Sequence, residues 1–184
     1  MYLVTGAAGF IGFHLSLAIL KKGYSVVGLD NINDYYNKKI KYDRLKILNK
    51  YSKFHFLKVD LSNKKKLSSK LNKYKKKFII IIHLAGQAGV RYSIINPMTY
   101  IQNNIMAYIN LLDFFKDNKN VKLIIYASSS SIYGDVSSKK SISSEPQVDP
   151  ISVYSASKLS MELISKLRRG FSFKLHCHLG PLDY

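Results

Sequence analysis

A glycine-rich turn near the start of the sequence restricts the fold more than any other feature. The segment TGAAGFIG, residues 5–12, follows a short apolar run typical of a strand and precedes apolar residues at helical spacing. Glycines at Gly6, Gly9 and Gly12 allow a tight turn in which the N–H groups of a helix N-terminus face a pyrophosphate. An ordinary strand-to-helix turn is the alternative, but the placement within a predicted strand–helix–strand unit favours dinucleotide binding.

Predicted strands and helices alternate along the rest of the chain. Apolar patterns predict further strands at 25–29, 54–59, 78–84, 121–127 and 171–175, and helices at 13–22, 38–49, 64–75, 97–116 and 150–168. This alternation indicates parallel strands with helical crossovers, so the predicted fold class is α/β, a Rossmann-like doubly wound parallel sheet. The nearly continuous apolar run at 78–84 predicts a strand that is covered on both faces.

Composition and charge limit the location and partners that we expect. With 184 residues and 47% apolar content, the chain is long enough for one sizeable core. It has no run of about 20 apolar residues, and Met1 leads almost directly into a strand, so we expect a cytoplasmic protein without membrane span or signal peptide. The net charge of +18 raises nucleic acid as a partner. Because short lysine runs flank a predicted helix, we interpret the charge as solvated and expect neither nucleic acid nor membrane as a partner.

Two acidic residues end the second and third predicted strands. Asp30 follows Gly12 by 18 residues, where a carboxylate accepts hydrogen bonds from the adenosine ribose and repels a 2′-phosphate. The expected cofactor is therefore NAD rather than NADP, although an Asp after a strand can also be a simple turn former. Asp60 ends the third strand at the same edge of the sheet, where it can address the adenine.

A tyrosine and a lysine lie four residues apart on the last predicted helix. Tyr154 and Lys158 therefore share one helix face, and a nearby ammonium is expected to lower the phenol pKa from about 10 and make the phenol a usable base. Such a pair is common by chance. The serine-rich segment ASSSSIYG, residues 127–134, supports a catalytic role for this pair, because it follows a predicted strand and opens onto the same edge as the glycine turn.

Five ordered motifs carry a family resemblance. TGAAGFIG, DNINDYYN from residue 30, HLAGQAGVRYS from residue 83, ASSSSIYG and YSASK from residue 154 together resemble the extended short-chain dehydrogenase/reductase family. Within its NAD-dependent epimerase/dehydratase members, DNINDYYN and AGQAGVRYS are most similar to UDP-glucuronate 4-epimerases. The resemblance implies conversion of UDP-glucuronate to UDP-galacturonate, in which NAD takes a hydride from the sugar C4 and returns it to the opposite face.

The resemblance also implies a role for individual residues. Tyr154 would be the general base and acid at the C4 hydroxyl, Lys158 its pKa tuner and ribose ligand, and Ser129 the hydroxyl that polarises the same oxygen. The implied cofactor-binding residues are Gly6, Gly9, Phe10, Ile11, Gly12, Asp30, Asn31, Asp60, Leu61, Leu84, Ala85, Gln87, Asn104, Tyr154 and Lys158. The implied substrate-binding residues are Arg91, Ser93, Ser129, Ser130 and Ser131. Family members generally pair the helices predicted at 97–116 and 150–168 across a four-helix interface, so a homodimer is also implied.

The carboxyl end of the sequence departs from the family pattern. We expect residues 1–175 to form the NAD-binding domain and 176–184 to be a remnant of the substrate-binding half, which is otherwise largely missing, so the chain alone should be nearly inactive. A dehydratase or decarboxylase, which would place an acid where Ser130 or Ser131 stands, and a non-catalytic NAD-binding fragment are the alternatives. Neither a metal site at His176 and His178 nor a disulfide at the single Cys177 is expected.

Overall fold

The sheet has six parallel strands, in the order 3-2-1-4-5-6. A computed structural model describes residues 1–134, 148–167 and 172–176, the last group without its side chains. The strands are β1 (Tyr2–Thr5), β2 (Val26–Asp30), β3 (Phe54–Lys58), β4 (Ile80–His83), β5 (Leu123–Ala127) and β6 (Ser172–His176). This order and direction confirm the predicted Rossmann-like fold.

Helices connect the strands as the alternating pattern predicts. They are α1 (Phe10–Lys21), α2 (Lys38–Leu48), α3 (Lys64–Leu71), α4 (Val90–Ile95), α5 (Pro97–Tyr100), α6 (Ala107–Phe115) and α7 (Val153–Leu167). Two differences from the sequence-based elements matter for the site. The short α4 has no predicted counterpart, and a π-helical segment (Ile101–Met106) joins α5 to α6 in place of one regular helix.

The strand order reverses between β1 and β4, and this reversal determines where a ligand can bind. The chain builds outward from β1 to β3 and then crosses to β4 on the other side of β1. In open parallel sheets, ligands bind beyond the carboxyl ends of the strands at such a switch point. Thr5, Asp30, His83 and Ala127 end their strands at this edge.

Two apolar clusters cover the two faces of the sheet. One contains Leu3, Ile81 and Ile124 with residues of α3, α6 and α7, and the other contains Val4 and Ile82 with residues of α1 and α2. Neighbours along a strand alternate between the clusters, because successive side chains point to opposite faces. The strand predicted at 78–84 is thus covered on both faces, as expected.

Two further structural features concern membranes and metals. Within the described ranges, no helix combines the length and apolarity needed to cross a membrane. The same residues contain no group of three or more His, Cys, Asp and Glu that could hold a metal ion. Cys177 and His178 lie outside the described residues.

Candidate cofactor and catalytic site

A cavity of about 400 Å³ opens at the carboxyl edge of the sheet, over the switch point. Its lining includes every residue of the predicted cofactor set except Asn104, Tyr154 and Lys158. Those included are Gly6, Gly9, Phe10, Ile11, Gly12, Asp30, Asn31, Asp60, Leu61, Leu84, Ala85 and Gln87. Four separate strand-to-helix loops therefore converge on one concave surface.

The glycine turn forms the floor of this cavity with backbone alone. Gly6 has φ 70°, and a Cβ at this position would lie 2.9 Å from the Ala85 nitrogen. A Cβ on Gly12 would collide with the Gly6 carbonyl oxygen. The first backbone N–H of α1 with a helical acceptor is that of Phe13, which donates to Gly9 at 3.0 Å. The preceding N–H groups and the positive end of the helix dipole thus fit a pyrophosphate.

Asp30 lies at the side of the cavity, with its carboxylate held by the backbone. Oδ1 accepts from the Ile32 N–H at 2.8 Å and Oδ2 from the Ala8 N–H at 3.2 Å. The side chain is nearly buried and still lines the cavity. Ile32, a β-branched residue, is held at φ 55° in the left-handed region, which is strained for such a residue.

The second carboxylate at this edge, Asp60, is fixed by its neighbours. It accepts from the Ser62 N–H at 2.8 Å, the Ser62 hydroxyl at 2.6 Å and the Asn31 amide at 3.3 Å. Burial raises the pKa of Asp60, but the hydrogen bonds from Ser62 and Asn31 outweigh it and leave the pKa below the usual 3.8. Asp60 is therefore ionised at neutral pH.

A buried pair, Thr5 and His83, joins β1 to the loop after β4. The Thr5 hydroxyl oxygen accepts from the Leu84 N–H at 3.2 Å and the Ala85 N–H at 3.1 Å, and it lies 2.9 Å from His83 Nδ1. Because two donors already point at this oxygen, the hydroxyl proton is directed to Nδ1, which must be the acceptor. The neutral His83 ring therefore carries its proton on Nε2.

Burial keeps the His83 ring neutral. Its Nε2 has no hydrogen-bond partner among the described residues, and the ring stacks on Tyr108 with centroids 5.1 Å apart. Desolvation and the nearby Lys158 charge lower the pKa of His83 to about 3. The imidazole is thus a structural group at neutral pH.

Asn104 lies in the π-helical segment, where it binds two backbone groups and one hydroxyl. Its Oδ1 accepts from the Gln87 N–H at 2.7 Å, and its Nδ2 donates to the Gln87 carbonyl at 3.1 Å and the Ser157 hydroxyl at 2.8 Å. Asn104 is fully buried and outside the cavity lining. Its observed contacts connect the β4 loop to α7, and π-helical segments of this kind are frequent at functional sites.

The three predicted catalytic residues meet between β5 and α7. The Ser129 hydroxyl lies close enough to the Tyr154 phenol to lower its pKa, and the Lys158 ammonium donates to the Ala127 carbonyl at 3.0 Å. Lys158 Nζ lies 6.0 Å from the Tyr154 ring centroid, and Tyr100 packs edge-on against the same ring. The predicted grouping of a serine, a tyrosine and a lysine is therefore present in the fold.

The pKa values correct one sequence-based expectation. Burial raises the pKa of Tyr154 above 10.0, and the nearby Ser129 hydroxyl offsets only part of this effect. Burial also lowers the pKa of Lys158 to about 8. The expected lowering of the phenol pKa by Lys158 is absent, because the ammonium is directed at Ala127 and desolvation dominates.

The predicted substrate residues fall into two groups. Ser129, Ser130 and Ser131 follow β5, with the Ser129 and Ser131 hydroxyls 2.9 Å apart. Arg91 is exposed at the start of α4, whereas the Ser93 hydroxyl is buried and donates to the Val90 carbonyl at 2.6 Å. Ser93 thus stabilises α4 in this structure.

Several cavity residues were absent from the predicted set. Asn33, Tyr35, Tyr36 and Lys41 line the cavity, and Arg44 lies one turn beyond Lys41 on α2. Three of these five lie in DNINDYYN, residues 30–37, and the two cations follow it on α2. Lys41 and Arg44 are three residues apart on the helix predicted after Asp30. This spacing places both side chains on one helix face and could have indicated them as cavity residues.

A second unpredicted contact joins the serine-rich segment to α7. The Ser128 hydroxyl donates to the Glu162 carboxylate, one helical turn after Lys158. This contact fixes the end of β5 against the helix that carries Tyr154. No sequence pattern indicates this pairing of residues 34 positions apart.

Comparison with known proteins agrees with this geometry. Residues 3–178 match the GDP-mannose 4,6 dehydratase family. The chain is 45% identical over 168 residues to protein CapI of Staphylococcus aureus, a match that covers 89% of this chain and 48% of CapI. It is 42% identical over 165 residues to a UDP-glucuronate 4-epimerase of Thermodesulfobacterium geofontis, covering 89% of this chain and 50% of that protein. The chain thus spans about half the length of the curated relatives it matches.

Solved structures share the fold. The UDP-glucuronic acid 4-epimerase of Bacillus cereus, in complex with UDP-glucuronic acid and NAD, matches with a TM-score of 0.81 at 34% identity, over 96% of this chain and 55% of that chain. On the extent of the family match, the chain belongs to the GDP-mannose 4,6 dehydratase family and corresponds to the N-terminal part of an extended short-chain dehydrogenase/reductase.

Proposed function

We propose that this chain is the NAD-binding half of a nucleotide-sugar 4-epimerase that converts UDP-glucuronate to UDP-galacturonate. The observation that carries the proposal is the convergence of the glycine turn, Asp30 and the Ser129–Tyr154–Lys158 group at one edge of the sheet. UDP-glucuronate 4-epimerases among the relatives support the substrate. The structural relative from Bacillus cereus, which contains NAD and UDP-glucuronic acid, supports both ligands.

The residues around the cavity fit the parts of NAD. The N-terminus of α1 would hold the pyrophosphate, Asp30 the adenosine ribose and Asp60 the adenine side, while Leu84, Ala85 and Gln87 would line the path toward nicotinamide. When bound, NAD supplies a reversible hydride acceptor for the sugar C4. Lys158 would orient the nicotinamide ribose.

Tyr154 and Ser129 would handle the proton on the C4 oxygen. Ser129 would hydrogen-bond that oxygen, while Tyr154 would take its proton and later return it. The raised pKa of Tyr154 suits the donating step. The accepting step needs the Lys158 ammonium closer to the phenol oxygen than its present position on Ala127.

The nature of the neighbouring side chains favours an epimerase over a dehydratase. Eliminating water requires an additional acid or base beside the catalytic hydroxyl. Ser130 and Ser131 occupy those positions, and the Glu162 carboxylate accepts a hydrogen bond from Ser128. Hydride removal and return needs no further proton carrier. A dehydratase or decarboxylase, which would share the NAD site and the Tyr154–Lys158 pair, is the second candidate function.

Cofactor preference provides the first test. Calorimetry should show that the chain binds NAD more tightly than NADP, because the Asp30 carboxylate would repel a 2′-phosphate. Asp30→Ala should weaken NAD binding and reduce the preference. Equal affinity of the unmodified chain for both cofactors would contradict the role of Asp30, and undetectable NAD binding would contradict the proposal.

A homodimer is the second part of the proposal. Apolar side chains are exposed along the α5–α6 path and on α7, among them Met98, Met106, Leu163 and Leu167. Pairing these helices with those of a second copy would cover this surface in a four-helix interface. Light scattering at tens of micromolar should give twice the monomer mass, and a monomer alone would contradict this interface.

Activity provides the decisive test of the chemistry. The isolated chain should epimerise UDP-glucuronate little or not at all, because binding energy from the remote UDP group is needed to hold C4 near Tyr154. Adding the second half of a relative should restore turnover. Tyr154→Phe should then abolish turnover and leave NAD affinity nearly unchanged. Restored turnover that survives Tyr154→Phe would exclude the proposed base.

A further inference from the structure

Asp30 does not stand alone at its side of the cavity. The Lys41 ammonium from α2 lies 3.7 Å from Asp30 Oδ1, with the two side chains only 5% and 8% exposed. The same ammonium donates to the Asn33 side chain at 2.7 Å and to the Asn33 carbonyl at 3.2 Å. Lys41 and Asp30 both line the cavity. A buried lysine at this place is costly unless it is paired, so Asp30 and Lys41 stabilise one another.

A second cation follows Lys41 by one helical turn. Arg44 donates to the Ala8 carbonyl at 3.2 Å, and its guanidinium lies 5.7 Å from the Phe10 ring. Its charge also lies close enough to the phenol of Tyr36, another residue of the cavity wall, to lower the pKa of that phenol against the larger effect of burial. Arg44 is thus tied to the glycine turn on one side and to the loop after β2 on the other.

These four residues, Asp30, Tyr36, Lys41 and Arg44, form what we call the Asp30 cluster. Tyr36 lies between the cations, with its ring 4.8 Å from Lys41 Nζ. The cluster holds one anion and two cations, and the exposed Asp34 carboxylate adds a further negative charge near Lys41. Without the Asp30 charge, the remaining groups are an ammonium, a guanidinium and a phenol. This is a set of donors typical of phosphate sites.

We propose that Lys41 and Arg44 form a latent site for the 2′-phosphate of an adenine nucleotide, which the Asp30 carboxylate closes. The proposal rests on the proposed binding of NAD. In dinucleotide-binding folds, an acid at the end of the second strand binds the ribose 2′-hydroxyl, and a nearby cation accommodates a 2′-phosphate. Here both devices are present at once, with the acid paired to one of the cations. The selectivity for NAD therefore depends on one carboxylate.

The test compares NAD and NADP binding by calorimetry in matched variants of the full 184-residue chain. Asp30→Ser removes the charge and leaves space, so NADP should bind at least about tenfold more tightly than to the unmodified chain, as expected for new charge-assisted hydrogen bonds. Adding Lys41→Met or Arg44→Met to Asp30→Ser should remove most of this gain. Adding Lys46→Met, an exposed lysine of the same helix, should leave the gain intact.

The adenosine half of the cofactor locates the effect. Asp30→Ser should bind adenosine 2′,5′-bisphosphate more tightly than ADP, whereas the unmodified chain should prefer ADP. Circular dichroism and thermal unfolding establish that each variant is folded. If Asp30→Ser does not fold, Asp30→Asn removes the same charge with nearly the same shape, and it should still increase NADP affinity over the unmodified chain.

Two failures have different meanings. A chain that binds no NAD overturns the proposed function. A chain that binds NAD, but whose folded Asp30 variants gain no affinity for NADP or for adenosine 2′,5′-bisphosphate, overturns the latent site alone. A gain that survives Lys41→Met and Arg44→Met would likewise overturn it, because it would arise merely from loss of repulsion.

Discussion

The two parts of the proposed site, an adenosine end around Asp30 and Asp60 and a catalytic end around Lys158, are stabilised in different ways. At the adenosine end, Asp60 is held by Ser62 and Asp30 by Ile32, each two residues away in sequence. At the catalytic end, Lys158 is held by Ala127, 31 residues away. Contacts over larger separations occur there too, such as that of Thr5 with His83, 78 residues apart. The adenosine end is thus built mainly from local turns, and the catalytic end from tertiary packing.

This difference has an electrostatic counterpart. Hydrogen bonds keep the Asp60 pKa low, so this carboxylate stays charged at the adenosine end. At the catalytic end, burial lowers the pKa of Lys158 to about 8 and that of His83 to about 3. The first arrangement preserves charge for binding. The second lets Lys158 lose its proton slightly above neutral pH and prevents His83 from gaining one. A group whose pKa lies near the working pH is suited to proton transfer.

The largest effect should come from filling the glycine turn. Gly12→Ala places a methyl group against the Gly6 carbonyl, which should reduce stability by at least about 3 kcal/mol and NAD affinity by more than about tenfold. Gly23→Ala is the control without a clash, since a Cβ there would meet nothing within 4 Å and the only strain comes from its φ of +82°. It should cost only about 1 kcal/mol and leave NAD binding unchanged. Equal urea midpoints for the two variants would contradict the claim that the turn requires glycine at position 12 for steric reasons.

Acid should destabilise the protein through His83. The folded pKa of about 3 lies below the ordinary 6.5, so the unfolded chain binds a proton first and stability falls as pH falls between these values. Between pH 7 and 4.5 this group should remove roughly 2 to 3 kcal/mol. His83→Asn keeps an acceptor for Thr5 and does not titrate. Urea unfolding of the variant should therefore show a smaller loss over that interval, and an equal loss would exclude His83 as its source.

Alkaline conditions should reveal Lys158. Its folded pKa of about 8 lies below the ordinary 10.5, so the unfolded chain binds more protons between these values and stability rises with pH. From pH 7 to 9.5 this contribution should reach about 2 kcal/mol. Lys158→Met removes this titrating group. The difference in unfolding free energy between the variant and the unmodified chain should therefore change by about 2 kcal/mol between pH 7 and pH 9.5. Lys166→Met, on the last turn of the same helix, is the control and should show no such change.

The smallest effect should come from the local turn at Asp60. Ser62→Ala removes the hydroxyl that donates to Asp60 at 2.6 Å, and this should reduce the unfolding free energy by about 1 kcal/mol. Ser69→Ala, an exposed serine on α3, should change it by less than about 0.5 kcal/mol. If the two variants are equally stable in urea, the contacts at the adenosine end contribute less than their geometry indicates.

Much of the fold and half of the site follow from patterns that are local in sequence. Glycines between a strand and a helix, together with an acid at the next strand end, predict the floor and one wall of the cavity, because both depend on backbone turns. Helix α4 and the π-helical segment do not follow from such patterns. Their conformations are linked to long-range contacts, such as that of Asn104 with Ser157, 53 residues away.

The sequence by itself determined the sheet, the switch point and the residue types at the strand ends, because apolar period and turn chemistry act over a few residues. Only the tertiary structure decided how those residues behave. It paired Asp30 with Lys41 and Ser128 with Glu162, and it directed the Lys158 ammonium at Ala127. It also raised the Tyr154 pKa where spacing alone predicts the opposite, because desolvation depends on every element packed around a group and not on its neighbours in sequence.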